Sequence, residues 1–231
     1  MKEKEVFDNV QGYPFVIHCF GEDSTVEDNG DMVYNLLLEY ASGGSLRDLI
    51  HNSGGCGLPV SDVKRYTKCI LKGLNHIHGC GYVHCDIKPE NVLLVNVSAS
   101  ATDGAHFVAK IVDLGLAKRS WQRKKLRMDL RGTALGKEFN KRDLFNLIAD
   151  KCELPEIPTG ISSQAKDFLK ACLVKKYMNR FTVEKLMDHP FLDGLGDEEL
   201  PVVSCVSGTD EVDYEVFWFS EDYEFVVLLV I

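Results

Sequence analysis

Several features that would assign this chain to a specialised class are missing. The terminal apolar run 225–231 has seven residues, whereas a membrane-spanning helix needs about 20. No Cys-x-x-Cys pair occurs among the eight cysteines, and no signal peptide precedes them, so we expect reduced thiols. The net charge of −9 argues against nucleic acid as the main partner. We therefore predict a cytoplasmic location, with the nucleus as the alternative, and no membrane passage.

Basic residues are also missing from the end of the chain. Residues 193–231 hold eleven Asp or Glu and no Lys or Arg, which leaves residues 1–192 with a small positive charge. The whole chain is 45% hydrophobic and 26% charged, a balance typical of a globular protein. The sequence predicts a nearly neutral globular body followed by an acidic tail.

A cluster of metal-binding residue types lies in segment 76–85. Zinc coordination would require these side chains to chelate a metal within ten residues while the same segment leads into a motif described below. We favour the alternative, the end of a helix followed by a strand. The cluster consists of His76, His78, Cys80, His84 and Cys85.

Apolar spacing predicts alternating helices and short strands. Spacings of three and four between apolar residues indicate a long helix over 61–78 with one buried face. Cap-type residues and β-rich runs mark the other elements. The predicted strands are 33–40, 92–95 and 107–112, and the other predicted helices are 45–50, 141–149, 162–173 and 182–187.

Two motifs carry the chemistry. Segment 82–94, Tyr-Val-His-Cys-Asp-Ile-Lys-Pro-Glu-Asn-Val-Leu-Leu, contains the frame H-x-D-x-K-x-x-N, and segment 111–115, Ile-Val-Asp-Leu-Gly, contains D-x-G. They match the catalytic loop and the metal-binding motif of protein kinases. The chain resembles Ser/Thr protein kinases, most of all the plant-type mitogen-activated protein kinase kinase kinases. Segments 37–46, 81–94, 109–118, 130–133 and 180–191 carry that resemblance in family order.

The resemblance implies a role for four residues in phosphoryl transfer. Asp86 would accept the proton of the substrate hydroxyl, and Lys88 would neutralise charge on the phosphoryl group in transit. Asn91 and Asp113 would hold Mg²⁺ through oxygen ligands, which this ion prefers.

The resemblance also implies an ATP site. Leu38 would be the gatekeeper, the backbone of Glu39 and Ala41 would meet the adenine edge, and Leu93 would lie beneath the ring. Glu3 resembles the helix-C glutamate that pairs with a strand lysine in the family. The protein substrate would be a mitogen-activated protein kinase kinase.

The implied fold is α+β and kinase-like but incomplete. Residues 1–192 would form a partial kinase domain, with 1–41 as the remnant of the small lobe and hinge. Residues 42–192 would form the large lobe, with an internal deletion near 134–140. Residues 193–231 would be the acidic tail.

Two departures from the family pattern oppose activity. The glycine-rich loop and the V-A-x-K strand are missing; Lys110 imitates this lysine but lies three residues before Asp113, in the strand that leads into D-x-G. The substrate loop, the A-P-E motif and the central helix cannot be found after Thr133. The A-P-E glutamate normally pairs with the arginine that Arg180 resembles, so a buried Arg180 would have lost its partner.

Three hypotheses remain. The first is an ATP-dependent Ser/Thr kinase of the mitogen-activated protein kinase kinase kinase type. The second is a catalytically inactive pseudokinase that acts as a binding module. The third is a truncated product. The two departures predict that this chain has impaired activity or none.

Overall fold

The computed structural model describes residues 2–54, 57–98, 106–120, 157–174, 179–194 and 216–217. The predicted helix 141–149, the predicted deletion near 134–140 and nearly all of the acidic tail lie outside these residues. The described helices are α1 (Lys2–Val10), α2 (Leu46–Asn52), α3 (Val60–Gly79), α4 (Ser163–Cys172) and α5 (Val183–Met187), with 3₁₀ turns at Pro89–Asn91 and Pro190–Leu192. The described strands are β1 (Cys19–Val26), β2 (Met32–Leu38), β3 (Leu58–Pro59), β4 (Tyr82–Val83), β5 (Val92–Asn96), β6 (Phe107–Ile111), β7 (Lys118–Arg119) and β8 (Val216–Phe217).

The predicted elements within the described residues are confirmed, with ends that differ by a few residues. Helix α2 begins at a capping box, in which the Ser45 side chain accepts from the Asp48 amide and the Asp48 carboxylate accepts from the Ser45 amide. The capping box satisfies N–H groups that have no partner within the helix. Helices α4 and α5 each begin with a simpler cap, in which the hydroxyl of Ser162 or Thr182 accepts one amide hydrogen bond.

The described strands form four two-stranded antiparallel sheets. Strand β1 pairs with β2 and β5 with β6, while the short pairs are β3 with β8 and β4 with β7. A parallel bridge joins Val16 to Ile111: the Ile17 amide donates to the Ile111 carbonyl at 2.9 Å, and the Ile111 amide donates to the Phe15 carbonyl at 3.0 Å. Residues 15–17 are therefore attached by backbone hydrogen bonds to the strand that leads into D-x-G.

Helix α3 lies at the centre of the core. Its predicted apolar face is buried, as expected for a 3.6-residue period; the buried members include Val63, Tyr66, Ile70, Leu74 and Ile77. Gly73 allows this helix to approach the bridge closely, because a Cβ there would lie 2.7 Å from the Phe15 carbonyl oxygen and 2.9 Å from Ile111 Cδ1. Packing of α3 therefore sets the position of the strand before Asp113.

The prediction for Arg180 is wrong in its premise. This side chain is exposed, and its guanidinium donates to the Val174 carbonyl at 3.1 Å. Since water solvates the charge, the penalty of about 3–5 kcal/mol for an unpaired buried ion does not apply.

The described residues contain no group of three or more His, Cys, Asp or Glu side chains that could hold a metal. The zinc alternative for segment 76–85 therefore finds no support, and the His76 ring instead lies 2.8 Å from the Val10 carbonyl oxygen. The described cysteines are free thiols: Cys19, Cys69, Cys80, Cys85 and Cys172. Among the helices of the described ranges, none combines the length and apolarity that crossing a membrane requires.

Candidate active site

The catalytic loop connects β4 to β5 and holds the Asp86 side chain from two sides. Lys88 Nζ lies 3.0 Å from Asp86 Oδ2. Asn91 Nδ2 donates to the Asp86 carbonyl oxygen at 2.9 Å and to Asp86 Oδ2 at 3.2 Å. Asp86 is 8% exposed, so these contacts also compensate the loss of water around its carboxylate. The structure thus brings Asp86, Lys88 and Asn91 together.

Val112 connects this loop to D-x-G through both of its backbone groups. Its amide donates to the Asn91 carbonyl at 3.0 Å, and its carbonyl accepts from His84 Nε2 at 2.9 Å. The other His84 nitrogen, Nδ1, accepts from the Asp86 amide at 3.2 Å. Both ring nitrogens are therefore used, and the neutral imidazole with its proton on Nε2 satisfies both bonds. The residue before Asp113 is held against the catalytic loop.

We expect His84 to make stability depend on pH. Burial lowers the pKa of His84, although the Val112 carbonyl and the Asp113 and Asp86 carboxylates oppose the shift. Between the lowered folded pKa and about 6.5, the unfolded chain binds more protons than the folded chain. The free energy of unfolding should therefore fall as pH is lowered below about 6.5.

Urea unfolding of the parent and of His84→Gln at pH 7.5 and pH 5.5 checks this expectation. At pH 7.5 the substitution should cost about 1–3 kcal/mol, because it disturbs two buried hydrogen bonds. The parent should then lose more stability at pH 5.5 than the variant does. Equal losses in the two proteins would contradict the assigned role of the His84 ring.

Asp113 adopts a left-handed backbone conformation, with φ of 62°, which is uncommon for a residue other than glycine. Its Oδ1 accepts from the Gly115 amide at 3.3 Å. Such strain persists only where the surroundings impose it, and it is frequent at functional sites. The two hydrogen bonds of Val112 fix the backbone before Asp113, and the turn toward Gly115 fixes the backbone after it.

Glu3, on α1, contacts the D-x-G segment directly. Its Oε1 accepts from the Leu114 amide at 3.1 Å. Burial, followed by the nearby Asp113 carboxylate, raises the pKa of Glu3. Within the described residues the structure gives Glu3 no lysine partner. The predicted helix-C glutamate therefore lies beside the metal motif and binds its backbone.

The four residues predicted to surround the adenine lie at the end of β2, on the hinge that follows it and on β5. Leu38, Ala41 and Leu93 are half-buried and pack against the core. The Glu39 amide donates to the His18 carbonyl at 2.8 Å and the Ala41 carbonyl accepts from the Gly44 amide at 3.1 Å. The hinge groups that remain to meet an adenine edge are thus the carbonyl of Glu39 and the amide of Ala41.

Lys110 lies in β6, as predicted, and bonds to the hinge. Its Nζ lies 2.7 Å and 2.9 Å from the two Glu39 carboxylate oxygens. This ion pair joins the hinge to the strand before D-x-G. Sequence reasoning missed the pair because its members are 71 residues apart and no motif connects them.

Other supporting residues were also missed. Nothing in the motif indicated that the backbone of Val112 connects the catalytic loop to D-x-G. The sequence did indicate a special backbone position at Gly43, because this residue lies in the Ser-Gly-Gly break after the hinge strand. A Cβ at Gly43 would lie 2.8 Å from Leu94 Cβ and from Phe107, so only glycine allows the hinge to pair with β5.

A divalent cation fits the chemistry of Asn91 and Asp113. Because Asn91 Nδ2 already donates to Asp86, Oδ1 is the amide atom that could bind a metal. One carboxylate and one amide oxygen are hard ligands but too few for a closed protein cage. Such a pair suits a cation that takes its remaining ligands from phosphate and water.

A family model described as "Protein kinase domain" matches residues 1–140. The chain belongs to the protein kinase family. Membership confirms the predicted resemblance and the α+β kinase-like fold class, and this family uses ATP with a divalent metal.

The kinase chain is also similar to named plant relatives. It is 38% identical over 230 residues to "Mitogen-activated protein kinase kinase kinase 20" of Arabidopsis thaliana, a match that covers 82% of the chain and 64% of that relative. It is 32% identical over 253 residues to "Mitogen-activated protein kinase kinase kinase 17", covering 91% and 64%. It is 32% identical over 255 residues to "Mitogen-activated protein kinase kinase kinase 18", covering 91% and 71%. The latter two are also from Arabidopsis thaliana. The chain thus spans about two thirds of the length of these relatives.

The matches contain unpaired positions. The match to the first relative is 230 positions long, yet 82% of the 231-residue kinase chain is about 189 residues. About forty aligned positions of the relative therefore have no counterpart in this chain. An internal deletion produces such a difference; its place near 134–140 stays a prediction.

Proposed function

We propose that this kinase chain belongs to an ATP-dependent Ser/Thr protein kinase of the mitogen-activated protein kinase kinase kinase type. It transfers the γ-phosphoryl group of ATP to a hydroxyl of a protein substrate. The observation that carries the proposal is the connection between Asp86 and Asp113: His84 and Asn91 both bond to the backbone of Val112. A base and a metal ligand in fixed relation are what an in-line displacement requires.

Each residue of this arrangement has a defined task. Asp86 accepts the proton of the attacking hydroxyl, and its orientation is set by Asn91 and Lys88. Lys88 also carries positive charge to where negative charge develops on the transferred group. Asp113 and Asn91 would hold Mg²⁺, which would supply positive charge against the phosphate oxygens. Leu38, the Glu39 carbonyl, the Ala41 amide and Leu93 form the adenine site, as the family resemblance implies.

The proposed substrate is a mitogen-activated protein kinase kinase, and the proposed location is the cytoplasm, with the nucleus as the alternative. The names of the plant relatives support the substrate class. Each name designates a kinase that acts on a kinase kinase, and we propose the same reaction for this chain.

A second candidate function is that of a pseudokinase, which binds partners without transferring phosphate. The observation that favours it concerns the cations near the nucleotide site. Lys110 is engaged by Glu39, and Glu3 bonds to the Leu114 amide. In the described part of the chain, no lysine is therefore paired with Glu3 to orient the phosphates. Loss of one such preorganised group costs about 10²–10³ in rate.

Phosphoryl transfer from [γ-³²P]ATP to a recombinant mitogen-activated protein kinase kinase distinguishes the two functions. The proposed function predicts Mg²⁺-dependent labelling that falls about 10²–10⁴-fold in Asp86→Asn, because general base catalysis is lost. The matched control is Asp188→Asn, which removes an exposed carboxylate that is not part of the proposed site. This variant should keep the parent rate. Labelling at the same low level in the parent and in Asp86→Asn would favour the pseudokinase.

A further inference from the structure

A cavity of about 340 Å³ lies between residues 12–20 and strand β6. We call it the hinge-side cavity. Of the four residues predicted to surround the adenine, only Glu39 lines it, so it is a site separate from the one predicted for adenine. Its volume lies at the lower end of the range of about 300–1,000 Å³ for small-molecule sites. The size therefore suits a molecule of one or two rings.

An ion pair forms the inner end of the hinge-side cavity. The Lys110 side chain is 12% exposed and the Glu39 side chain 22%, whereas Phe20, which also lines the cavity, is 69% exposed. Lys110 Nζ lies 2.7 Å from Glu39 Oε1 and 2.9 Å from Oε2. The His18 amide donates to Oε2 as well, at 3.2 Å.

This ion pair leaves hydrogen-bonding capacity for a ligand. An ammonium group has three N–H donors, and each carboxylate oxygen accepts about two hydrogen bonds. Within the described residues, Lys110 donates to the two Glu39 oxygens, and Glu39 Oε1 accepts from Lys110 alone. One N–H of Lys110 and one acceptor position on Glu39 Oε1 therefore remain.

Aromatic rings line the same cavity. The Tyr13 ring stacks on the ring of His76, in α3, with centroids 4.3 Å apart, so its position is set by the helix. The His18 and Phe20 rings meet edge to face at 4.7 Å. A flat aromatic ligand would cover the exposed Phe20 ring and gain from ring contacts.

The ion pair decides which polar group such a ligand carries. A carboxylate would face Glu39 and a cationic group would face Lys110, and like charges at partly buried positions are unfavourable. A neutral primary amide avoids both conflicts, because its oxygen accepts from Lys110 while its N–H donates to Glu39 Oε1. Hydrogen bonds to charged groups are also stronger than those between neutral groups.

We propose that the hinge-side cavity binds a small aromatic primary carboxamide. The amide bridges Lys110 and Glu39, and the aromatic ring lies against Tyr13 and Phe20. This binding does not depend on phosphoryl transfer.

Saturation-transfer NMR titrations of the full 231-residue chain, without nucleotide, test the proposal. The probe is indole-3-carboxamide. The comparison compounds are 3-acetylindole, in which a methyl group replaces the amide nitrogen, and indole-3-carboxylate. The carboxamide should bind with a dissociation constant of about 1–5 mM, as expected for a ligand of this size. Both comparison compounds should bind about tenfold more weakly, because one lacks the donor for Glu39 and the other brings a like charge to it.

Glu39→Gln should reverse the preference between the amide and the carboxylate. The substitution removes the negative charge and leaves the Lys110 ammonium without its carboxylate partner. Indole-3-carboxylate should therefore bind this variant more tightly than indole-3-carboxamide does. An unchanged preference for the carboxamide would contradict the assigned role of the ion pair.

Phe20→Ala and Tyr40→Ala locate the site. Both residues carry exposed rings, at 69% and 84%, but Tyr40 does not line the cavity. Phe20→Ala should weaken binding of the carboxamide about fivefold or more through lost ring contacts, whereas Tyr40→Ala should change it less than about twofold. Because both rings are exposed, thermal melts of the two variants should stay close to that of the parent.

Four results would overturn the proposal. The first is no saturation transfer to the carboxamide at about 5 mM, and the second is equal affinity for the carboxamide and 3-acetylindole. The third is an equal effect of the two alanine substitutions. The fourth is displacement of the carboxamide by adenosine, which would assign the ligand to the predicted adenine site.

Discussion

Replacing Gly73 by alanine is expected to destabilise the kinase fold by about 2–3 kcal/mol, in the upper range for an overpacked core. The added Cβ would lie 2.7 Å from the Phe15 carbonyl oxygen and 2.9 Å from Ile111. The first of these is a backbone atom, so the helix and the bridge must move apart. Alanine normally stabilises a helix interior by about 0.5–1 kcal/mol relative to glycine, and the clash should reverse this gain.

Gly79→Ala is the matched control for this measurement. Gly79 lies in the same helix, and a Cβ there would meet no atom within 4 Å. Urea unfolding should therefore give a small gain for Gly79→Ala and a large loss for Gly73→Ala. Equal effects of the two substitutions would contradict the close approach of α3 to the bridge.

Asp113→Asn is expected to remove most of the Mg²⁺-dependent part of ATP affinity. Asparagine tolerates the left-handed backbone that Asp113 adopts, so the substitution removes the charge and keeps the conformation. Loss of a carboxylate ligand should weaken the Mg²⁺-dependent affinity by at least about 10–100-fold, the cost seen even for groups that only support a ligand. Titration with a fluorescent ATP analogue, in Mg²⁺ and then in EDTA, measures this difference.

The control for Asp113→Asn is again Asp188→Asn, which removes an exposed carboxylate outside the site. It should leave the difference between Mg²⁺ and EDTA at the parent value. A parent-like Mg²⁺ dependence in Asp113→Asn would show that this carboxylate does not bind the metal.

Within the described residues, local sequence signals predicted helices α2 to α5 and strands β2, β5 and β6, but not strand β1. The apolar period over 61–78 and the cap residues Ser45, Ser162 and Thr182 are short-range features, and the structure confirms the helices that they predict. The motif spacing likewise placed Asp86, Lys88 and Asn91 within hydrogen-bond or ion-pair distance.

Long-range contacts could not be predicted in this way. The Glu39–Lys110 pair and the contact of Glu3 with the Leu114 amide join residues 71 and 111 positions apart. Such contacts depend on how strands and helices pack, and a single sequence does not encode that packing as a local pattern. For Arg180 an unpaired charge was expected only if the side chain were buried, as it is in the family, and here the side chain is exposed.

We propose that His84, Asn91 and Val112 hold Asp86 and Asp113 as one nucleotide-binding unit. The most direct test is a thermal melt of the purified chain with and without millimolar Mg-ATP, because a ligand that binds only the folded state must stabilise it. We expect one cooperative transition whose midpoint rises by ~5–10 °C when Mg-ATP reaches a hundred times its dissociation constant, equivalent to about 2.7 kcal/mol. A cooperative transition at the same temperature with and without Mg-ATP would contradict it.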